Sequence, residues 1–365
     1  MMYEPSNIIM ILEILQKNGG FFFYNPINKR GVVGCKSELP EELGVTTLNE
    51  SEISFFAIPF FSDINKKGEG LWNTMKMGEI TFPYCYSILF SVGTQKKTTP
   101  TYVNVVDDYE KWCDLFDIIM SNIKAREVEK VVASRQVEIL FDKDINLASC
   151  VLNLLKNNPQ SYVFAYIYGG KAFIGATPEI LVEKCGSRIQ SYAVAGTFPK
   201  CENNEKRGKE LLNDIKNNHE HKIVIDEIVS TMRTVTNKVS IGMTELMELK
   251  NLFHLKTSIV ATDGQKNLIE WVRLLHPTPA MGGKPRKKAL KLIEKYEQHD
   301  RGLFAAPIGI VEKNGDGIFV VGIRSALIDG NKIYAYAGCG IVEQSDCREE
   351  YEETNTKLRT ILEAL

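Results

Sequence analysis

The sequence predicts an α+β fold: two packed antiparallel β-sheets with helices on their outer faces, in a single large unit. Three observations carry that prediction. Short apolar strands recur in two separate groups, at 162–194 and 308–342, each punctuated by tight Gly- or Asn/Asp-containing turns. That is the text of an antiparallel meander and not of a βαβ array. Stretches with helical apolar periodicity lie between the two groups and after the second. Finally, the 365 residues are 44% hydrophobic and 25% charged, which excludes a disordered or low-complexity chain.

The elements follow in order. Residues 8–15 are apolar but interrupted by Glu13, and no small-residue cleavage site follows, so no signal peptide is expected. Residues 21–24, ahead of Asn25-Pro26, and 58–61, between polar flanks, read as strands; 96–99 reads as a loop and 109–123 as an amphipathic helix. Residues 131–140 alternate and are β-branched, and 147–155 fits a helix stopped by Asn157-Asn158-Pro159. Strands at 162–168, 172–176, 180–184 and 188–194 make the first meander. One long helix is expected over 204–235, charged at first and apolar-periodic later. More strands and a helix lead to a Pro/Gly-rich turn at 276–285 and a helix at 287–296. The second meander runs through 308–312, 317–329 and 332–342, and a helix over 348–362 closes the chain.

Composition narrows function further. Lys+Arg 44 against Asp+Glu 46 gives a net charge of -2, which removes any global drive toward nucleic acid or anionic membrane. No stretch approaches the roughly 20 apolar residues of a membrane span. The 8 cysteines include no C-x-x-C pair and read as reduced thiols, so a cytoplasmic location is expected. His219 and His221 are two apart, pointing about 200° away from each other on a helix, and cannot form a zinc-protease pair. The phosphate-loop, dinucleotide-fingerprint and nucleophile-elbow motifs are all missing.

Several charged residues remain. Taken singly, Lys130 is a solvated strand-opening lysine, Glu179 an exposed loop carboxylate and Glu220 one charge on a polar helix. Glu350 and Glu353 share a helical face, and Glu353 with Lys357 makes an ordinary i,i+4 pair. Together they lie in a longer order of motifs. Lys130-Val-Val-Ala-Ser-Arg135, Gly175-Ala-Thr-Pro-Glu-Ile-Leu181, Ala195-Gly-Thr197, His219-Glu-His221 and Phe253-His-Leu255 are followed by Leu275-His-Pro-Thr-Pro-Ala280, Ile323-Arg-Ser-Ala-Leu327, Ala337-Gly-Cys-Gly-Ile-Val342 and Glu350-Tyr-Glu-Glu-Thr354. In order and approximate spacing these resemble the chorismate-binding enzyme family, and within it the isochorismate synthases of menaquinone or siderophore biosynthesis.

The resemblance implies a fold of the anthranilate synthase component I type, with 1–125 as its variable N-terminal part and 126–365 as the chorismate-binding catalytic region. It implies an isomerase that converts chorismate to isochorismate by Mg²⁺-dependent addition of water at C2 with loss of the C4 hydroxyl. Lys130 would be the general base and Glu179 the general acid. Glu220 and Glu353 would bind Mg²⁺, with Glu350 acting through a water, since Mg²⁺ prefers hard oxygen ligands. Gly196, Thr197, Gly338 and Gly340 would offer backbone or hydroxyl donors to the substrate, Arg324 would fork onto the enolpyruvyl carboxylate, and Lys357, His254 and Ala280 would line the site. A free lysine titrates at about 10.4, so the base role demands a lowered value and the acid role a raised one at Glu179.

Two positions choose the branch. Lys130 stands where anthranilate synthases carry glutamine, and Ala195 where aminodeoxychorismate synthases carry a nucleophilic lysine. Salicylate synthase, which goes on to eliminate pyruvate, is the alternative, and anthranilate synthase component I a more distant one. The expected partner is chorismate alone, on a monomer that needs no glutaminase, nucleic acid or membrane. Three departures stand out: Asn217 where the family often has an acid, Cys347 where it often has proline, and Phe304-Ala-Ala-Pro307 where it often has Tyr-Ala-Gly-Pro.

Overall fold

The structure, a computed structural model, describes residues 5–43, 45–48, 52–61, 71–72, 74–89, 102–105, 108–201 and 203–365. Helix α1 (Pro5–Asn18) precedes strands β1 (Gly20–Asn25), β2 (Arg30–Cys35), β3 (Thr46–Leu48), β4 (Ile53–Ala57), β5 (Gly78–Ile80), β6 (Tyr84–Leu89) and β7 (Tyr102–Val105). Helix α2 (Tyr109–Lys124) leads into β8 (Lys130–Phe141), and α3 (Leu147–Asn157) into β9 (Tyr162–Tyr168), β10 (Lys171–Thr177), β11 (Ile180–Cys185) and β12 (Arg188–Pro199). Helices α4 (Asn204–Asn213) and α5 (Ile215–Arg233) come before β13 (Val239–Glu248), β14 (Leu252–Thr262), α6 (Leu268–Leu275), β15 (Gly283–Lys284) and α7 (Arg286–Tyr296). The chain closes with β16 (Pro307–Glu312), β17 (Gly317–Val321), β18 (Ser325–Asp329), β19 (Lys332–Ile341) and α8 (Cys347–Leu362).

These strands make two antiparallel sheets, as the sequence predicts. One has 11 strands in the order β15-β8-β19-β18-β10-β9-β1-β2-β6-β3, with β7 also on β8. The other has 8, in the order β13-β14-β12-β11-β17-β16-β4-β5. Strands β1 and β9 of the first sheet read as apolar runs because both their faces are buried. Phe21 and Phe23, with Tyr162, Phe164 and Tyr166, point into the core between the sheets, where Phe21 meets Phe55 of β4 with ring centroids 5.0 Å apart. The alternate residues Phe22, Tyr24, Val163, Ala165 and Ile167 point the other way, under α1 and α3.

The N-terminal apolar stretch belongs to α1, whose Ile8, Ile11, Leu12 and Leu15 form one buried stripe at helical spacing. Helices α2 and α7 cover the β8–β19 end, with Trp112, Phe116 and Ile293 packed on Ala133 and Ile341. Val224 and Ile228 of α5 and Trp271 of α6 are buried with residues of the second sheet. Among the described residues no helix is long and apolar enough to cross a membrane.

Three expectations are corrected. The strand expected at 58–61 lies upstream as β4, which pairs with β16 from Ile53 to Ala57 and leaves 58–61 irregular. The single helix expected over 204–235 breaks at Asp214, whose carboxylate accepts the Asn217 backbone N–H at 2.8 Å and so caps a new helix. The apolar run 317–329 is two strands in different sheets, β17 against β11 and β16, and β18 against β10 and β19. The loop expected at 96–99 falls outside the described residues.

Candidate active site

The crossing between β17 and β18 places the first functional side chain. Arg324 sits in that crossing with φ 51, a left-handed conformation, and only 6% of it is exposed. It opens into a cleft walled by the ends of β8, β12 and β19 and by α5 and α8. Lys130, Glu179, Gly196, Thr197, Glu220, His254, Ala280, Arg324, Gly338, Gly340, Glu353 and Lys357 all line it. Glu350 lies outside that lining, in an adjoining cleft shared with Glu220 and Glu353. The fold therefore brings together residues spread over more than two hundred positions of sequence.

Lys130 opens β8 and is buried, contrary to the bland reading of a strand-opening lysine. Its Nζ donates to Glu220 Oε1 at 2.8 Å. The neighbouring strand allows this pair to form. Gly340 of β19 lies opposite Val132, and a Cβ there would collide with Glu220 Oε1 and the Lys130 side chain. Burial pushes the Glu220 carboxyl up, but Lys130, Lys357 and Lys216 outweigh it and hold the group below the usual range.

Glu179 lies between β10 and β11, buried, with its N–H donated to Thr177 Oγ1 at 3.2 Å and its carbonyl accepting from Val321 N–H at 3.0 Å. Burial drives its carboxyl up to about 8, against the pull of Lys130, Lys357 and Arg324. At neutral pH this group is a carboxylic acid, able to donate a proton.

Arg324 Nη2 contacts His254 Nε2 at 2.9 Å. A guanidinium only donates, so Nε2 is the acceptor and the imidazole proton sits on Nδ1, within reach of Gly196 O at 3.1 Å and Thr197 Oγ1 at 3.0 Å. Burial first, and the charges of Arg324 and Lys357 next, push His254 far below its usual value. Among the described residues Arg324 has no carboxylate at ion-pair distance. Burial lowers it to about 10, and it remains a cation.

The other donors are partly committed. Thr197 donates its N–H to Asn217 Oδ1 at 2.9 Å, so the amide that stands where the family often has an acid holds the Gly196–Thr197 turn. The carbonyl of Gly338 accepts from Lys357 Nζ at 2.8 Å, and Lys357 also pairs with Glu353 at 2.6 Å. Expected as anion donors, Thr197 and Gly338 thus present a hydroxyl and a carbonyl.

The carboxylates Glu220, Glu350 and Glu353 each face a lysine, the third pair being Glu350 with Lys216 at 2.7 Å. Among the described residues no three His, Cys, Asp or Glu side chains already stand as a coordination cluster. The donor chemistry nonetheless suits a hard divalent ion: all three are carboxylates. Glu350 lies above its usual range through burial and then through the neighbouring charge of Glu353.

Sequence reasoning missed Arg301, Glu297 and Tyr336. Arg301 lines the cleft and donates to Met281 O and Val132 O, both at 2.8 Å, while Glu297 takes its Nε at 2.8 Å. That pair ties the strand bearing Lys130 to the loop bearing Ala280. An i,i+4 Glu–Arg spacing in polar text gives no sign of complete burial. The apolar run after Gly302 was the available signal.

The family description "Chorismate binding enzyme" matches residues 87–365 of the chain. Isochorismate synthase MenF of Bacillus subtilis is 38% identical over 263 residues, 71% of this chain and 56% of that protein, so the chain spans little more than half of that relative's length. Isochorismate synthase EntC of Escherichia coli is 30% identical over 367 aligned residues, 94% of this chain and 93% of that protein. Among solved structures, MenF, the menaquinone-specific isochorismate synthase from Escherichia coli, superposes with a TM-score of 0.80 over 96% of this chain and 91% of that one, at 21% identity. That last likeness is one of fold.

Proposed function

The chain belongs to the chorismate-binding enzyme family, and from that premise we propose that it is an isochorismate synthase. The observation that carries this reading is that Glu179, with its carboxyl raised to about 8, and Lys130 line one cleft. Conversion of chorismate to isochorismate needs one group to take a proton from water as its oxygen bonds to C2. It needs a second to give a proton to the C4 hydroxyl, which leaves as water while the ring double bond shifts. Glu179 supplies the second proton without needing acidic solution. Lys130 takes the first as a neutral amine, so base action requires its ammonium to give up a proton to solvent and its contact with Glu220 to open.

Chorismate carries two carboxylates, and the cleft offers cations for both. Arg324 takes the enolpyruvyl carboxylate in a planar fork, with neutral His254 fixing the guanidinium. Glu220 and Glu353, with Glu350 through a water, would hold Mg²⁺, which when bound neutralises the ring carboxylate. Ala280 packs beside the ring. Ala195 lies in the cleft wall with no amine, which favours a hydroxylated product over covalent capture.

The test is product analysis of the purified protein with chorismate and Mg²⁺, by chromatography with a coupled pyruvate assay. Isochorismate with its enolpyruvyl group intact is expected. Stoichiometric pyruvate with salicylate would move the assignment to salicylate synthase, and an aminated product in the presence of ammonium would overturn the role of Lys130.

A further inference from the structure

Two thiols outside the cleft face each other across a helix–helix contact. Cys113 lies in α2 and Cys347 opens α8, 234 positions later, yet their sulfurs are 3.2 Å apart. Both are half-buried, not sealed in the core. The contact is held by other groups: the Trp112 indole donates to Cys347 O at 3.1 Å, the Tyr109 and Tyr351 rings sit 4.9 Å apart, and the Arg348 guanidinium lies 4.8 Å from the Tyr109 ring. The thiols are therefore presented to each other by packed helices and not by a chance meeting of loops.

We propose that Cys113 and Cys347 are a reversible oxidative modification site, closing to a disulfide that staples α2 to the first turn of α8. A disulfide needs the sulfurs at about 2.05 Å, so about 1 Å of approach is required, within reach of side-chain rotation and a small helix shift. The oxidant is a peroxide. The Cys113 thiolate attacks one peroxide oxygen, the O–O bond breaks, and Cys113 becomes a sulfenic acid as hydroxide leaves. The Cys347 sulfur then attacks the Cys113 sulfur, the S–OH bond breaks, and the thiol proton leaves with the hydroxyl as water. Two thiols and one peroxide thus give one disulfide and two waters.

The assignment of order follows from surroundings. The Cys347 S–H is directed at the Cys113 sulfur, which sets Cys113 as the sulfur that reacts first and Cys347 as the resolving partner, and burial raises the Cys347 thiol in the same sense. The link has a structural consequence at the cleft. Glu350 lies three residues beyond Cys347 on the same helix, so the staple fixes the turn that carries it.

The experiment is peroxide treatment of the folded, reduced full-length chain, alkylation of the remaining thiols and mass spectrometry of the digest. A cross-linked peptide joining Cys113 to Cys347, lighter by about 2 Da than the two thiol peptides and reversed by dithiothreitol, is expected. Cys185 and Cys201 are exposed and serve as references: a half-buried pair that oxidises ahead of them does so through proximity. Cys113→Ser and Cys347→Ser should each abolish the link while melting within a few degrees of the parent. Both cysteines still alkylated after the references have oxidised, either one driven to sulfinic acid, or a link to another cysteine would overturn the proposal. None of these readouts depends on the reaction assigned to the cleft.

Discussion

Arg324 Nη2 donates to His254 Nε2 at 2.9 Å, and this contact adds to burial in keeping the imidazole neutral, because protonation of Nε2 would set two donors against each other. His254 shares that state with the buried His221 and the half-buried His276. Burial lowers His221 to about 4 and His276 to about 3, from an ordinary value of 6.5. All three bind a proton more readily in the unfolded chain than in the fold. Stability contributed by keeping them neutral is fully present above pH 6.5 and is lost as pH falls below it. Urea denaturation at about pH 7 and about pH 5 should show a falling midpoint with unchanged slope. A midpoint flat across that range in a Glu179→Gln background, which removes a carboxyl of opposite sign, would show that these imidazoles titrate normally.

Glu179 carries the opposite sign. Its carboxyl titrates at about 8 in the fold, against an ordinary value of 4.5. Between those values the folded chain holds a proton that the unfolded chain has released, so stability falls as pH rises through the window. Glu179→Gln removes the titration. It is expected to lower kcat by about 10²-fold or more while making the protein relatively more stable at about pH 9 than at about pH 5, compared with the parent. A variant with equal loss of stability at both pH values would place Glu179 in a structural role only.

Gly340→Ala tests how tightly the Lys130–Glu220 pair is enclosed. The added methyl would occupy space already filled by Glu220 Oε1 and the Lys130 Cε, so the pair must separate. The backbone there is not left-handed, so the fold is expected to hold while turnover falls by about 10²-fold, the usual cost of a misplaced reacting group. Near-parental kcat would mean that the pair can shift without consequence.

Arg301 and Glu297 test the frame beneath the site. Both side chains are fully enclosed, 0% and 1% exposed. Arg301→Met takes the guanidinium away from a buried carboxylate that keeps the neutral Ser134 N–H and Oγ donors at 2.9 Å and the His299 ring at 3.9 Å, and should cost about 3–5 kcal/mol. The double change Arg301→Met with Glu297→Leu removes both charges and should recover part of that loss, read by denaturant unfolding. If the double variant were no more stable than the single, the loss would come from the backbone contacts to Val132 and Met281 and from the Ser134 donors left without the carboxylate.

The sequence made the two sheets legible because their strands are short, apolar and separated by strong turn signals, as in β9, β10 and β11. It hid the step from β17 to β18 because both strands are apolar and the link between them is only three residues long, with no strong turn signal, and only pairing partners reveal that the chain changes sheets there. Lys130 and Glu179 were legible only through the order of the motifs around them, since each alone reads as an ordinary solvated charge. Burial could not be read at all: nothing local says that Lys130 is 1% exposed or Glu179 4%. Gly340 lay inside a recognised motif, but the reason a glycine is needed there comes from α5, more than a hundred residues earlier.

The divalent cation makes the last prediction. Glu220, Glu350 and Glu353 are now balanced by Lys130, Lys216 and Lys357, so a bound cation must compete with three ammonium groups already in place. Competition of this kind gives modest affinity, and a ligand that binds only the folded chain at about 100 times its Kd still adds about 2.7 kcal/mol. Melting in EDTA and in rising Mg²⁺, without chorismate, should therefore show a saturable increase in Tm. Glu353→Gln should lose that increase while keeping the EDTA melting point near the parental one. Because Glu350 is held above its usual range by burial and by Glu353, protons compete for it more readily than for an ordinary carboxylate, and the Mg²⁺ shift should shrink as pH falls. A Tm indifferent to Mg²⁺ together with full turnover in EDTA would remove the cation from this site.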